Sequence, residues 1–407
     1  MSQFERSSSY ELDQPLPMAG RLLTRPLSNL AQGRLTVELG KHQRVFQGED
    51  TGLNATMRVR NPWTMLRRIA MHGSMGFAEA YIAGDWDSPD LSELLHLLLL
   101  NQPSLEKAWK GPNWSRLKDR FKHLCQANNR KGSRRNIRYH YDLGNDFYRL
   151  WLDRSMTYSC ALFDPKQQEE ALEAAQERKY RRLLDMLHAK PGDHILEIGC
   201  GWGGLAEMAA RDGYQVTCIT LSEEQMKYAA QRIQSAGLAD RVSFRLQDYR
   251  DVSEHFDHVV SIEMFEAVGE SYWPTFFQTL TQRLRPGGRC ALQTITIDES
   301  IFPQYRRQAD SIQRYIFPGG MLPASRIFRE HVDTAGLVSL KEDFFGLDYA
   351  KTLAHWHQMV QEKAEVILQM GYDHNFMNMW RYYLSYCEAG FRGGRIDLMQ
   401  TLLQKPA

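Results

Sequence analysis

The chain has 407 residues, enough for two domains and a substantial buried core, and 50 Lys plus Arg against 49 Asp plus Glu leave a formal net charge of +1. That balance supplies no global field to draw the protein onto nucleic acid, so no nucleic-acid partner is expected. Cys125, Cys160, Cys200, Cys218, Cys290 and Cys387 form no C-x-x-C pair, so neither a disulfide framework nor a metal site is expected, and a reducing, cytoplasmic setting follows.

Residues 1–30 are polar, serine-rich and broken by Pro15, Pro17 and Pro26. They read as a flexible leader without the positive start and apolar core of a signal peptide. From Gly33 the pattern changes. Leu35–Leu39 and Thr56–Arg60 alternate as strands, and Trp63–Met71 and Leu91–Leu100 read as helices, which gives a small α+β domain over residues 31–105. The apolar run Leu94–Leu100, with His96 inside it, is too short to span a bilayer and reads as a buried helix face. Gly84-Asp85-Trp86-Asp87 reads as a turn with no chemistry.

Residues 106–138 form a basic linker in which Lys107, Lys110, Arg116, Lys118, Arg120 and Lys122 are interleaved with Trp109, Trp114 and Phe121. An anionic membrane surface would attract such a segment, each cation contributing about 1 kcal/mol near the headgroups. A solvated helix face is the alternative, and nucleic acid a third, unaccompanied by any recognised binding module.

Further on, His194–Ile198 reads as a strand leading into Gly199-Cys200-Gly201-Trp202-Gly203-Gly204, and Leu205–Ala210 as the helix behind that turn. The spacing departs from the G-x-G-x-x-G of a pyrophosphate site, and an acid, Glu197, precedes the first glycine. An acidic group suits a cationic ligand and glycines let the backbone approach it. S-adenosylmethionine, which carries an ammonium and a sulfonium but no phosphate, fits. Another nucleotide and a purely structural turn are the alternatives. Gln215–Thr220, Val242–Leu246, His258–Ile262 and Arg289–Ile297 continue a doubly wound α/β sheet, with Ser222-Glu223-Glu224-Gln225 capping the helix after the second of these strands. Ligands in such sheets sit beyond the carboxyl ends of the strands.

Tyr139-His140-Tyr141-Asp142-Leu143-Gly144-Asn145-Asp146-Phe147-Tyr148, Thr157-Tyr158-Ser159-Cys160, the glycine turn and Tyr315-Ile316-Phe317-Pro318-Gly319-Gly320 follow one another in order. On these motifs the chain resembles the cyclopropane fatty acid synthase family, including the mycolic acid cyclopropane synthases, over about residues 134–395. The N-terminal domain resembles that of the longer bacterial members more loosely. The resemblance implies a class I S-adenosylmethionine-dependent methyltransferase fold over residues 139–407, behind the smaller α+β domain, with a lipid-binding insertion at about 300–330 that includes Arg306, Arg307 and Arg314. It implies transfer of a methylene unit to the cis double bond of an unsaturated phospholipid acyl chain, through a carbocation, to give a cyclopropane ring. A relative that makes methyl- or methylene-branched chains and a non-catalytic lipid-binding protein stay open. The implied partners are the phospholipid and the anionic inner face of the membrane, where the protein would lie peripherally, and a homodimer is compatible with them.

The same resemblance implies the site. Tyr158 and Ser159 would close over the donor; Glu197, Gly199, Gly201 and Gly203 would hold its methionine part. Thr220, Leu221, Ser222 and Gln225 would flank the ribose, and Gln247, Asp248 and Tyr249 the adenine, with Ile262 beside them. A bound bicarbonate would serve as base, held by the backbone of Cys160, by Glu266 and Gln293, by the backbone amide of Ile295 and by Tyr349. Three positions depart from the family: Gln293 replaces the histidine of a His-Thr-Ile triplet, Ala267 follows Glu266 where many members have histidine, and Asp310-Ser311-Ile312 replaces Asp-Phe-Ile. Gln293 and Ile295 still share one face of their strand, and glutamine donates a hydrogen bond without carrying a proton.

Overall fold

The computed structural model describes residues 16–108, 143–167, 169–307 and 311–407. The linker from Trp109 onward, the Tyr139–Asp142 part of its following motif and Asp310 lie outside the described residues. Those described fall into two compact units, one of residues 16–108 with 371–393, the other of 143–370 with 394–407.

In the first unit, β1 (Gln32–Leu39), β2 (His42–Gln47), β3 (Glu49–Val59) and β4 (Trp86–Asp87) form a sheet in the order β2-β1-β3-β4. Leu35, Val37 and Leu39 of β1 are buried and the residues between them are not, as expected of a sheet with one covered face. Only the first half of the stretch expected as a turn is one, since Trp86–Asp87 pairs with β3 as β4, and Asp85 just before that strand organises its surroundings through hydrogen bonds. The Asp85 carbonyl accepts from Arg60 N and Asn61 N, and its carboxylate accepts from Arg68 Nε at 3.1 Å. Two further expectations are corrected here. The leader does not extend to residue 30, because Met18–Thr24 is helical and Leu16, Leu23, Leu27 and Leu30 are buried in this core. Nor is 139–407 one continuous domain. The helix Leu91–Leu100 is apolar around most of its circumference and needs cover on more than one side. The helix His374–Arg392 supplies it, tied by Ser92 Oγ to Glu388 Oε2 at 2.6 Å and Arg392 to Glu93 Oε2 at 2.6 Å.

The second unit contains a seven-stranded sheet in the order β10-β11-β9-β8-β5-β6-β7. Its strands are β5 (His194–Ile198), β6 (Gln215–Thr220), β7 (Val242–Leu246), β8 (Phe256–Ile262), β9 (Leu284–Ile297), β10 (Val338–Phe344) and β11 (Ile396–Gln404). β5 to β9 run parallel, and β11 lies antiparallel between β9 and β10. β5 is covered on both faces, with Ile195, Leu196, Glu197 and Ile198 all buried, which explains why its apolar residues do not alternate with exposed polar ones. The order reverses at β5, with β6 on one side and β8 on the other, so the crevice at their carboxyl ends is the switch point at which ligands bind in such sheets. No helix among the described residues is long and apolar enough to cross a membrane.

Candidate active site

The glycine turn follows β5 with Gly199, Gly201 and Gly203 at φ of 85°, 50° and 82°, a region in which a side chain is strained. A Cβ on Gly203 would also come within 2.9 Å of Ala229, so this glycine lets the turn close onto the helix Glu223–Ser235, whereas nothing lies within 4 Å of a Cβ on Gly201. Glu197 is 4% exposed, and its carboxylate has a weak partner, the Cys218 thiol at 3.5 Å. Burial pushes its pKa up to about 8. A buried carboxylate so poorly satisfied beside a glycine-lined turn fits a ligand that brings its own cation, as the ammonium of S-adenosylmethionine would.

At the ends of β6 and β7 the expected nucleoside contacts divide. Thr220 and Ser222 are buried, Leu221 is half-buried, and Ser222 Oγ accepts from Gln225 N at 3.3 Å as a helix cap. Gln247 Nε2 donates to Asp251 O at 2.7 Å. Asp248 and Tyr249 have partners within the chain. The Asp248 carboxylate takes Arg250 Nε at 2.8 Å and a second Arg250 nitrogen at 2.7 Å, while the Tyr249 ring packs edge-on to Phe276 in the core. Ile262 ends β8, half-buried and paired with Gln293.

The segment Thr157–Cys160 is fastened by the helix Leu172–Leu187. Gln176 Nε2 donates to Ser159 O at 2.8 Å, Thr157 and Tyr180 hydroxyls share a hydrogen bond of 2.8 Å, and the fully buried Lys179 donates to Ser159 Oγ at 2.6 Å. Lys179 also lies 4.2 Å from the Tyr180 ring centroid, and burial draws its pKa down to about 8. The half-buried Tyr158 packs among Tyr148, Trp151 and Trp356 at 5.2–5.6 Å between ring centroids, and Trp202 joins them through Tyr148 at 5.1 Å. Those rings form an aromatic wall beside the segment.

Three of the five residues expected to hold bicarbonate, Cys160, Gln293 and Tyr349, do meet, but on a carboxylate of this chain. Glu263 Oε1 accepts from Cys160 N at 2.9 Å and Gln293 Nε2 at 2.8 Å, and its Oε2 accepts from Tyr349 OH at 2.5 Å. The Glu263 backbone is left-handed, φ 50°, and its N–H donates to Gln293 O at 2.8 Å. Such a conformation on a residue with a side chain costs on the order of 1 kcal/mol and persists where surrounding contacts impose it. Burial raises the Glu263 pKa, and the three donors oppose that rise.

Glu266 sits one short turn further on. Its Oε1 accepts from Ile295 N at 2.5 Å and Thr294 Oγ1 at 3.0 Å, whereas Oε2 is buried with no hydrogen-bond partner. Burial and the neighbouring Glu263 raise its pKa to about 8. Of the two neighbouring carboxyls, Glu263 receives three donors and Glu266 two, on a single oxygen, so the ionised form is the better stabilised at Glu263. Cys160 enters only through its backbone; burial pushes its thiol far above the usual range, which removes any nucleophilic role. Tyr349 lies in the first turn of the helix Gly346–Glu362, and Arg306 of the insertion is paired with Glu270.

Glu263, Lys179 and Gln176 were absent from the expected site. Glu263 carried a legible signal, an acid at the position immediately after a strand of the parallel sheet. Lys179 and Gln176 carried a weaker one, a lysine and a glutamine three apart on the apolar face of an amphipathic helix.

The family model described as mycolic acid cyclopropane synthetase matches residues 128–401. The chain is 40% identical over 355 residues to the tuberculostearic acid methyltransferase of Mycobacterium tuberculosis, covering 85% of this chain and 82% of that one. It is 34% identical to the cyclopropane-fatty-acyl-phospholipid synthase of Escherichia coli, covering 86% and 88%. Among solved structures, the mycolic acid cyclopropane synthase CmaA1 complexed with SAH and CTAB superposes with a TM-score of 0.63 at 29% identity, over 67% of this chain and 98% of that one.

Proposed function

We propose that this chain, which belongs to the mycolic acid cyclopropane synthetase family, methylates the double bond of an unsaturated lipid acyl chain with Glu263 as the base. The observation that carries this reading is the convergence of Cys160 N, Gln293 Nε2 and Tyr349 OH, the donors expected for bicarbonate, on the Glu263 carboxylate. Bound S-adenosylmethionine supplies an electrophilic methyl carbon: the π pair of the double bond forms the new carbon–carbon bond, the carbon–sulfur pair leaves with sulfur, and a carbocation remains on the acyl chain.

The residues of the chain then act in three ways. Glu197 and the glycine turn hold the donor. The wall of Tyr148, Trp151, Tyr158 and Trp356 keeps water from the cation and offers it ring faces. Glu263 accepts one proton and becomes a neutral acid, and the product depends on the bond that proton leaves. A proton lost from the new methyl, with its pair closing onto the cationic carbon, gives a ring; loss after a hydride shift gives a methylene or alkenyl branch. The higher identity to a tuberculostearic acid methyltransferase, 40% against 34%, supports the branched product. The likeness to a cyclopropane synthase over 86% of the chain supports the ring as the second reading. A phospholipid substrate, met at an anionic membrane surface, belongs to the same proposal.

Mass spectrometry of lipids from cells with and without the protein tests this. Acyl chains heavier by one CH2 group are expected, with unsaturation retained for the branched product and removed for the ring. Unchanged lipids, with no labelled methyl entering any unsaturated phospholipid in vitro, would sink both.

A further inference from the structure

The buried hydrogen bonds behind Gln293 do not end at the base. Gln293 stands directly opposite Gln400 in the β9–β11 ladder, and Gln400 Nε2 donates to Gln293 Oε1 at 2.8 Å. Gln400 Oε1 in turn accepts from Arg182 Nε at 2.8 Å. Arg182 is on the helix Leu172–Leu187, partly exposed, ion-paired to Asp343 and lying 5.0 Å from the Phe345 ring centroid. The two glutamines are 1% and 0% exposed. A guanidinium donates only, and a carboxylate accepts only. With Arg182 at one end and Glu263 at the other, just one orientation of each amide satisfies all three bonds, so the two ends fix both amides.

We infer that Arg182 and Gln400 are positioning residues for the reaction, which, through the Arg182–Gln400–Gln293 chain, hold the Gln293 N–H on Glu263 and keep that base ionised. The inference rests on the role proposed for Glu263. Aligned bonds in a low-dielectric interior polarise one another, so a cation at the far end strengthens the last donor. Cut at Gln400, the Gln293 amide is free to turn its oxygen to the carboxylate, which would then face a repulsive dipole. A second buried glutamine opposite the first has no packing rationale of its own, since two apolar residues would fill the ladder without polar groups to satisfy.

Other charged and titratable groups act on Glu263 as well: Lys179 from the helix Leu172–Leu187, Cys160, Glu266 from the turn after β8, and Tyr349 from the helix Gly346–Glu362. The test therefore alters the relay and leaves them in place. Arg182→Met removes the cation, Arg182→Lys keeps it, and Gln400→Glu still accepts from Arg182 but cannot donate to Gln293. Two readouts are compared at unchanged S-adenosylmethionine affinity: the carboxyl 13C titration of Glu263 in ligand-free protein, assigned by difference from Glu263→Gln, and the acid limb of methyl transfer. In Arg182→Met both midpoints should rise, on the order of half to one pH unit, with a several-fold loss of turnover at neutral pH. Arg182→Lys should restore them, and Gln400→Glu should shift them further. Should Gln400→Glu fail to fold, the partly exposed Arg182 still carries the test. Midpoints equal to wild type in the Arg182→Met protein would overturn the relay, even if its thermal stability fell. A wild type that methylates no lipid would overturn the function instead, while the 13C titration would still judge the relay.

Discussion

Glu263→Gln is expected to lower methyl transfer to unsaturated lipid by about a hundredfold to ten-thousandfold, the range over which a general base contributes. The substitution keeps the shape of the side chain. An amide oxygen in place of Oε1 still accepts from Cys160 N and Gln293 Nε2, and the amide nitrogen faces Tyr349 OH, which accepts as readily as it donates. Donor binding, centred on β5 and β6, should be unchanged. What is lost is the capacity to take a proton. In the wild type, burial raises the Glu263 pKa, so activity should be full at high pH and fall as pH drops through a midpoint above the ordinary carboxylate range. Single-turnover transfer of a labelled methyl group, followed against pH, measures both effects. A glutamine variant that retains the wild-type rate would remove Glu263 from the chemistry.

Glu197→Gln is expected to raise the dissociation constant for S-adenosylmethionine by about 10- to 100-fold, the value of one charge-assisted hydrogen bond lost from a buried site. Glu197 has the Cys218 thiol as its weak partner and a pKa raised to about 8, so the ligand-free protein holds it mostly neutral near pH 7. The sign for stability follows: the contribution from this raised pKa is fully present below the unfolded-state value and is lost as pH rises through about 8. A cationic ligand favours the ionised form, so wild-type affinity should strengthen as pH rises through that midpoint, and the glutamine variant should lose the dependence. Calorimetric titration over that range checks it. Equal affinities at every pH would place the ammonium elsewhere.

Much of this architecture was legible because its signals are local. The β5 run, its glycine turn and the Ser222 cap each state a conformation within a few residues, and the parallel strands β5 to β8 lie within two residues of expectation. The antiparallel pair β10 and β11 was not assigned, since it is separated by the helices between residues 346 and 392 and neither strand has a turn to announce the pairing. The helix His374–Arg392 read as part of the second domain for the same reason: the partner that buries it, Leu91–Leu100, lies almost 300 positions away, a separation of 296 residues at the Ser92–Glu388 bond. At the site, Cys160, Glu266, Gln293, Ile295 and Tyr349 are all expected through the family resemblance that the motifs carry, and the structure places the first, third and last of them around Glu263 and Ile295 on Glu266. Glu263 is not among the expected residues although it lies three residues before Glu266. Nothing in the sequence discloses its left-handed backbone, and that conformation turns its side chain onto the other residues' donors. Asp248 and Tyr249, expected beside the adenine, also have partners within the chain that no local signal announces, the Arg250 guanidinium and the Phe276 ring.

Glu263 as a built-in substitute for a bound anion is tested most directly by Glu263→Gly. Glycine removes the carboxylate, adopts φ near 50° without strain, and leaves Cys160 N–H, the Gln293 amide and Tyr349 OH around a space of carboxylate size. The measurement is transfer of labelled methyl to unsaturated phospholipid by this variant, in bicarbonate-free buffer and then with bicarbonate added. The account predicts a folded, donor-binding protein that is nearly inactive alone and regains turnover saturably with bicarbonate. Wild-type turnover in the absence of any added anion would contradict it.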